Sequence, residues 1–289
     1  MKRVIICLTA FVTLGILNNT CYCLEITKDQ AMEMFTLAND EYKNSHKLMS
    51  AKKTQEAIDG FKNAADQYEK LIQSGYLNGQ IYYNLANSHY RQGNAGKAML
   101  YYNKALKLMP RNSELKENIK LVNSEFEDKS LTKKAPGVLK AVFFWYFLFN
   151  LNETTAFALS FYIVFMICML VFIFLRYEWI KKLCAWFGAA MIVTGITLGI
   201  KIYTEQVNLK GIVVSKECNV RYGPGEEYEP KFLIHEGAQF LVEDENDKWY
   251  KVYVYVDVKQ PDETGEDEAG KEGKTGWIGW IPKEKVGII

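Results

Sequence analysis

The sequence predicts a multi-domain membrane protein: all-α helical hairpins first, two transmembrane helices next, and a small all-β barrel at the C-terminal side. Three observations carry this expectation. Residues 156–175 form a run of twenty without a formal charge. Residues 79–110 place small and large side chains at the spacing of two packed antiparallel helices. From residue 209 on, short apolar runs alternate with turn residues, the period of strands.

A helix made from 156–175 crosses about 30 Å of hydrocarbon, the thickness of a bilayer core. In that medium each backbone amide must find its partner inside the segment, which selects a helix. A second apolar run, 183–200, belongs to a second span over 183–203. Between them lies RYEWIKK, with Arg176, Lys181 and Lys182. A short basic loop sits in the cytoplasm, so the segments before and after the hairpin share the outer side. The N-terminal end agrees with that topology. Lys2 and Arg3 precede an apolar stretch, 4–17, and small polar residues follow to Cys23, the form of a signal peptide over 1–23. A retained anchor is the alternative and leaves the topology unchanged. No small apolar box precedes Cys21 or Cys23, which argues against a lipoprotein. Trp145, Tyr146, Tyr177, Trp179, Trp186 and Tyr203 stand near the ends of the runs, as interfacial aromatics do. Residues 136–150 read as an interfacial amphipathic helix introduced by Pro136-Gly137, with a buried soluble helix as the alternative.

Charge is distributed unevenly. Residues 24–137 carry 17 Lys/Arg against 14 Asp/Glu, and residues 205–289 carry 11 against 18. Neither part has the basic face of a nucleic-acid binder. Of the six cysteines, only Cys218 falls in an outer domain, so no disulfide framework is expected there. Cys218 reads as a small buried hydrophobe inside a strand.

The outer helical domain occupies 24–130. Its clearest unit is GQIYYNLANSHYRQGNAGKAMLYYNKALKLMP, residues 79–110. Ala86 and Ala98 are small where two helices cross, Gly93 ends the first helix, and Pro110 stops the second. With Tyr82, Leu85, Tyr102 and Ala105, these positions resemble a tetratricopeptide repeat, a 34-residue pair of antiparallel helices. A looser copy covers 30–75, marked by Phe35, Ala38, Tyr42, Ala57, Phe61 and Ala64. Ala38 and Ala57 stand seven positions further apart than Ala86 and Ala98, so an insertion around SHKLMSAKK is expected to lengthen the turn. A capping helix follows, with Leu115, Ile119, Val122 and Phe126 on one face. Two repeats and a cap are fewer than the three or so units that usually stand alone, so the array should lean on the membrane helices or on a partner.

Repeats that resemble these bind an extended peptide along the inner face of their first helices. That face should carry Tyr83, Asn84, Asn87, Tyr90 and Arg91, joined by Phe35, Asn39 and Tyr42 from the earlier copy. Amides can clamp a peptide backbone, and aromatics add contact area at low entropic cost. The same residues can equally serve packing between neighbouring helices.

Residues 209–289 contain Asn219-Val220-Arg221, Gly223-Pro224, His235-Glu236-Gly237, Trp249 and Gly279-Trp280-Ile281-Pro282. That series resembles a bacterial SH3-like (SH3b) domain. Residues 257–274 hold seven acidic and three basic residues and read as a flexible acidic loop within the last hairpin. A cell-wall-binding use of the resemblance would place Tyr222, Tyr228 and Trp249 on the surface; a structural or docking role is the alternative.

No residue set supports catalysis, and no cofactor or metal site is expected. His46, His89 and His235 do not cluster with cysteine or carboxylate at ligand spacing. The order of signal peptide, repeats, hairpin and SH3-like domain resembles the repeat-containing (BatE-type) branch of the bacterial aerotolerance-operon (Bat) proteins. The resemblance implies a non-enzymatic scaffold of the bacterial inner membrane, with its outer domains in the periplasm. It also implies von Willebrand-factor-A-type membrane proteins and a MoxR-type ATPase as partners. Peptidoglycan, gripped by the SH3-like domain, is the alternative partner.

Overall fold

The computed structural model describes residues 26–128, 137, 143–255 and 276–289. The expected signal peptide, most of the segment 129–142 and the acidic loop 257–274 lie outside the described residues.

Two helical hairpins come first: α1 (Lys28–Ser50) with α2 (Thr54–Gln73), then α3 (Gly79–Arg91) with α4 (Ala95–Leu108). A fifth helix, α5 (Ser113–Glu125), packs on α4. Thr27 opens α1 through a capping box with Gln30, and Asn78 and Asn112 cap α3 and α5. Gly93, at φ 80°, ends α3 where the repeat pattern places it. Ala38, Ala57, Ala64, Ala86, Ala98 and Ala105 are fully buried at the crossings, and Phe61, Tyr68, Leu85 and Tyr102 fill the space between. The insertion expected in the first turn is instead helix. Residues 45–50 continue α1, leaving only 51–53 to turn. Nothing in SHKLM breaks a helix, and the reversal waits for Lys52, held at φ 62°.

A short helix, α6 (Phe144–Leu148), leads to two long apolar helices, α7 (Leu151–Leu175) and α8 (Glu178–Ile202). Both are long and apolar enough to cross a membrane. Asn150 caps α7 in a box with Glu153, and Arg176, in the left-handed conformation at φ 52°, closes it. The turn between them is only 176–177, because Lys181 and Lys182 already lie in the opening turns of α8. Their outward faces are bare: Phe174 is 83% exposed and Trp186 79%. Of the expected interfacial helix, α6 lies within the described residues. Trp145 donates to Thr197 Oγ1 at 3.2 Å, and Tyr146 shares a hydrogen bond with Thr204, so α6 packs on the end of α8.

The C-terminal part is a seven-stranded antiparallel sheet in the order β3-β2-β6-β5-β4-β1-β7. The strands are β1 (Lys210–Val213), β2 (Glu217–Arg221), β3 (Pro230–His235), β4 (Gln239–Glu245), β5 (Trp249–Tyr255), β6 (Gly276–Pro282) and β7 (Val286–Ile288). Val213, Val220, Ile234, Phe240, Val252, Val254 and Ile281 share one core with Cys218. Strands from both ends of the order feed that core, so the sheet curls on itself. Register shifts after Val220 and Val242 mark the bends.

The sheet is docked on the repeats. The Gly96 N–H donates to Glu236 Oε1 at 2.7 Å, and Asp128 Oδ2 accepts from the His235 N–H at 2.6 Å. Ile212 of β1 belongs to the buried cluster of α3, α4 and α5. Leu100 packs over Gly287, and Phe126 over Gly237. The array leans on the sheet, a support the sequence reading did not name, and it also meets the apolar helices, where Asn150 Nδ2 donates to the Leu108 carbonyl at 2.9 Å and Arg111 pairs with Glu153.

Candidate functional site

A groove of about 230 Å³ opens between α1, α3, α4 and α5. Five of the eight residues expected there line it: Tyr42 from α1, and Tyr83, Asn87, Tyr90 and Arg91 from α3. α3 presents them because positions 83, 87, 90 and 91 recur at helical spacing on one face. The remaining three lie elsewhere. Asn39 Oδ1 accepts from Tyr68 and from Asn84 Nδ2, both at 2.7 Å, and the Phe35 ring meets Tyr68 edge-on at 6.1 Å. Phe35, Asn39 and Asn84 therefore hold α1, α2 and α3 together. Asn39 Oδ1 and both ends of the Asn84 amide are taken up within the protein.

The opposite wall comes from Tyr102 on α4 and Val122 on α5, which the sequence reading assigned to packing, and from Glu114, Asn118 and Leu121 on α5, which it did not single out. Tyr102 donates to Asn87 Oδ1 at 2.5 Å, and Asn118 Nδ2 reaches the Tyr83 hydroxyl at 3.0 Å. Tyr90 donates to Glu125 at 2.6 Å. These bonds fix the walls, and the Asn87 amide is engaged at both ends, its Oδ1 by Tyr102 and its Nδ2 toward the Tyr83 hydroxyl. The signal for the second wall was the polar pair Glu114 and Asn118 at i, i+4 on the otherwise apolar inner side of α5.

Burial pushes the Tyr83 hydroxyl up to about 12, with the neighbouring Glu114 adding to the effect. The Tyr90 hydroxyl is raised first by its hydrogen bond to Glu125. Both rings stay neutral donors at ordinary pH. Arg91 is exposed, and among the described residues no carboxylate lies within ion-pair distance of it. The groove thus offers aromatic faces, the Asn118 amide oxygen, the exposed Arg91 cation and the Glu114 carboxylate. That is a set for holding a polypeptide.

The three surface aromatics expected on the sheet divide. Tyr222 is 64% exposed and Tyr228 44%, with Lys231 Nζ 5.3 Å from the Tyr222 ring centre. Trp249 is only 7% exposed, so it is not a surface residue. It opens β5 opposite Pro282, its N–H held by Asn246 Oδ1 at 2.8 Å, and burying a ring this large outweighs leaving it in water. His89 is buried against Tyr101, the rings stacked at 5.4 Å. Cys218 is fully buried, and burial pushes its thiol up to about 11.

Comparison with known proteins matches residues 79–112 to the tetratricopeptide repeat family. The match covers α3, α4 and the turn before α5, so the chain contains a tetratricopeptide repeat, a unit that generally mediates binding to protein partners. No curated protein matches the chain.

Proposed function

We propose that this chain is a non-enzymatic, membrane-anchored adaptor whose repeat groove binds a protein partner. The groove of Tyr42, Tyr83, Asn87, Tyr90, Arg91, Glu114 and Asn118 carries the reading, since it joins an exposed cation and a carboxylate to aromatic walls held by hydrogen bonds. The two apolar helices serve as the anchor. Their exposed Phe174, Trp186 and neighbours would meet water in a soluble chain, whereas lipid satisfies them. The short turn at 176–177, followed by Lys181 and Lys182, favours its placement in the cytoplasm, with the repeats and the sheet together in the periplasm. The docking of sheet on repeats supports a shared side. The curled sheet fits the SH3-like pattern read in its sequence.

The resemblance to the BatE-type proteins points to a Bat-type envelope complex linked to stress tolerance, with von Willebrand-factor-A-type membrane proteins and a MoxR-type ATPase nearby. Reversing the groove's free cation, Arg91→Glu, should abolish partner capture from native membranes and leave thermal unfolding within about 0.5 kcal/mol, as for other exposed positions. Capture that survives the reversal would remove the groove from the function.

The second reading is a cell-wall tether. The exposed Tyr222 and Tyr228 beside Lys231 favour it. Retention of the full-length protein on purified sacculi, lost in Tyr222→Ala, would support it; no retention would sink it.

A further inference from the structure

A second cavity, of about 350 Å³, lies where the repeats, the apolar helices and the sheet meet. Its walls include Lys104 and Lys107 of α4, residues 150–152 at the head of α7, Glu205, and the apolar side chains of Leu77 and Ile288. The two lysines are neighbours at i, i+3 on one helix face and are partly buried. Among the described residues no carboxylate stands within ion-pair distance of Lys104; its ammonium lies 5.7 Å from the Tyr101 ring centre. Burial, and then the Lys107 charge, lowers its pKa. Burial also lowers that of Lys107, against the pull of Glu205 and with the push of Lys210. Lys107 donates to the Ile289 main-chain oxygen at 3.1 Å. A partly desolvated ammonium without a counter-charge is costly, and an anion in the cavity would relieve the cost.

The position of the cavity narrows the anion. It sits at the first turn of α7, where the apolar run begins, and Leu77, Leu151 and Ile288 make one side of it apolar. A free inorganic anion gains nothing from that side, whereas an amphiphile uses both. We propose that this cavity holds the phosphate headgroup of an anionic phospholipid, with Lys104 and Lys107 facing the phosphate and the apolar wall taking the first carbons of its chains. The inference rests on the membrane anchoring proposed above. The lipid would then brace the repeats, the hairpin and the sheet at their meeting point, so that the groove is set at a fixed height above the bilayer.

The test uses the full-length protein in nanodiscs, with native mass spectrometry of retained lipid. Wild type should keep phosphatidylglycerol over phosphatidylcholine, and Lys104→Ala should cut that preference about fivefold, the weight of one lysine at a lipid surface. Lys116→Ala, on exposed α5, should leave it unchanged. No preference in wild type, or a preference indifferent to Lys104, would overturn the proposal. Stabilisation by inorganic phosphate without any lipid preference would overturn the lipid assignment as well. Alkaline carbonate extraction reads the anchoring separately: release from the membrane sinks the anchor, whereas retention without lipid preference sinks only the headgroup site.

Discussion

Gly96 shows how one residue joins two parts of the molecule. It sits in the first turn of α4 with its N–H on Glu236, and Glu236 also holds Lys216. A Cβ at Gly96 would stand 2.8 Å from the Val213 carbonyl oxygen, which is backbone and cannot swing away. Gly96→Val is therefore expected to push the sheet off the repeats at a cost of about 1–3 kcal/mol. Proteolysis at the 126–128 segment should speed up by a matching factor, and unchanged protection would show the contact to be incidental. Cys218 gives a second test at this scale. Its folded thiol titrates near 11 against an ordinary 9.0, so burial adds stability below about pH 9 that is lost as pH climbs toward 11. Below pH 9 the thiol should resist iodoacetamide in the folded chain and react only on unfolding. Rapid labelling at pH 8 without unfolding would contradict its place in the core. The burial of Cys218 was legible in the sequence, because it alternates with Val220 along a strand. Trp249 was not. It stands out of phase with Val252 and Val254, so alternation sends it outward, and only the Asn246 turn and the pairing with Pro282 reveal that it is covered.

At the scale of elements, α3 and α4 were the most legible, because Ala86, Gly93, Ala98 and Pro110 each answer a steric demand that leaves few alternatives. The first hairpin was less so. Spacing between Ala38 and Ala57 counts inserted residues but does not say whether they coil as a turn or extend a helix, and here they extend α1 to Ser50. Half of the groove was hidden for a related reason: α5 was read by its apolar period, which names the buried face and leaves its polar neighbours Glu114 and Asn118 unread. Asn87 links the two walls. Asn87→Ala should cost about 1–3 kcal/mol, since Tyr102, buried and bonded to its Oδ1, loses its acceptor. Chemical denaturation checks the figure. A loss below about 0.5 kcal/mol would mean that water takes the place of the amide. The span ends were legible only to within a few residues, because Asn150 and Glu153 cap α7 ahead of the first wholly apolar residues.

For the whole molecule, the short repeat array and the sheet share a buried surface that neither has alone. Ile212 belongs to the repeat cluster, and Phe126 seats on Gly237. Residues 24–130 expressed alone should accordingly unfold at lower temperature and less cooperatively than the same residues joined to the sheet. A sharp, independent transition for the fragment would show that the array supports itself. The joined body stands at one end of the apolar hairpin, tied to it by Arg111 and Glu153 at 3.1 Å and by Asn150 Nδ2 on the Leu108 carbonyl at 2.9 Å. That arrangement suits an adaptor that offers its groove at a fixed distance from a membrane. The direct measurement is affinity purification of the full-length protein from its native membrane in mild detergent, beside the Arg91→Glu variant, with mass spectrometry of what accompanies each. The account predicts a stoichiometric protein partner with wild type that disappears with the variant. Recovery of wild type alone, or of the same partner with both, would contradict it.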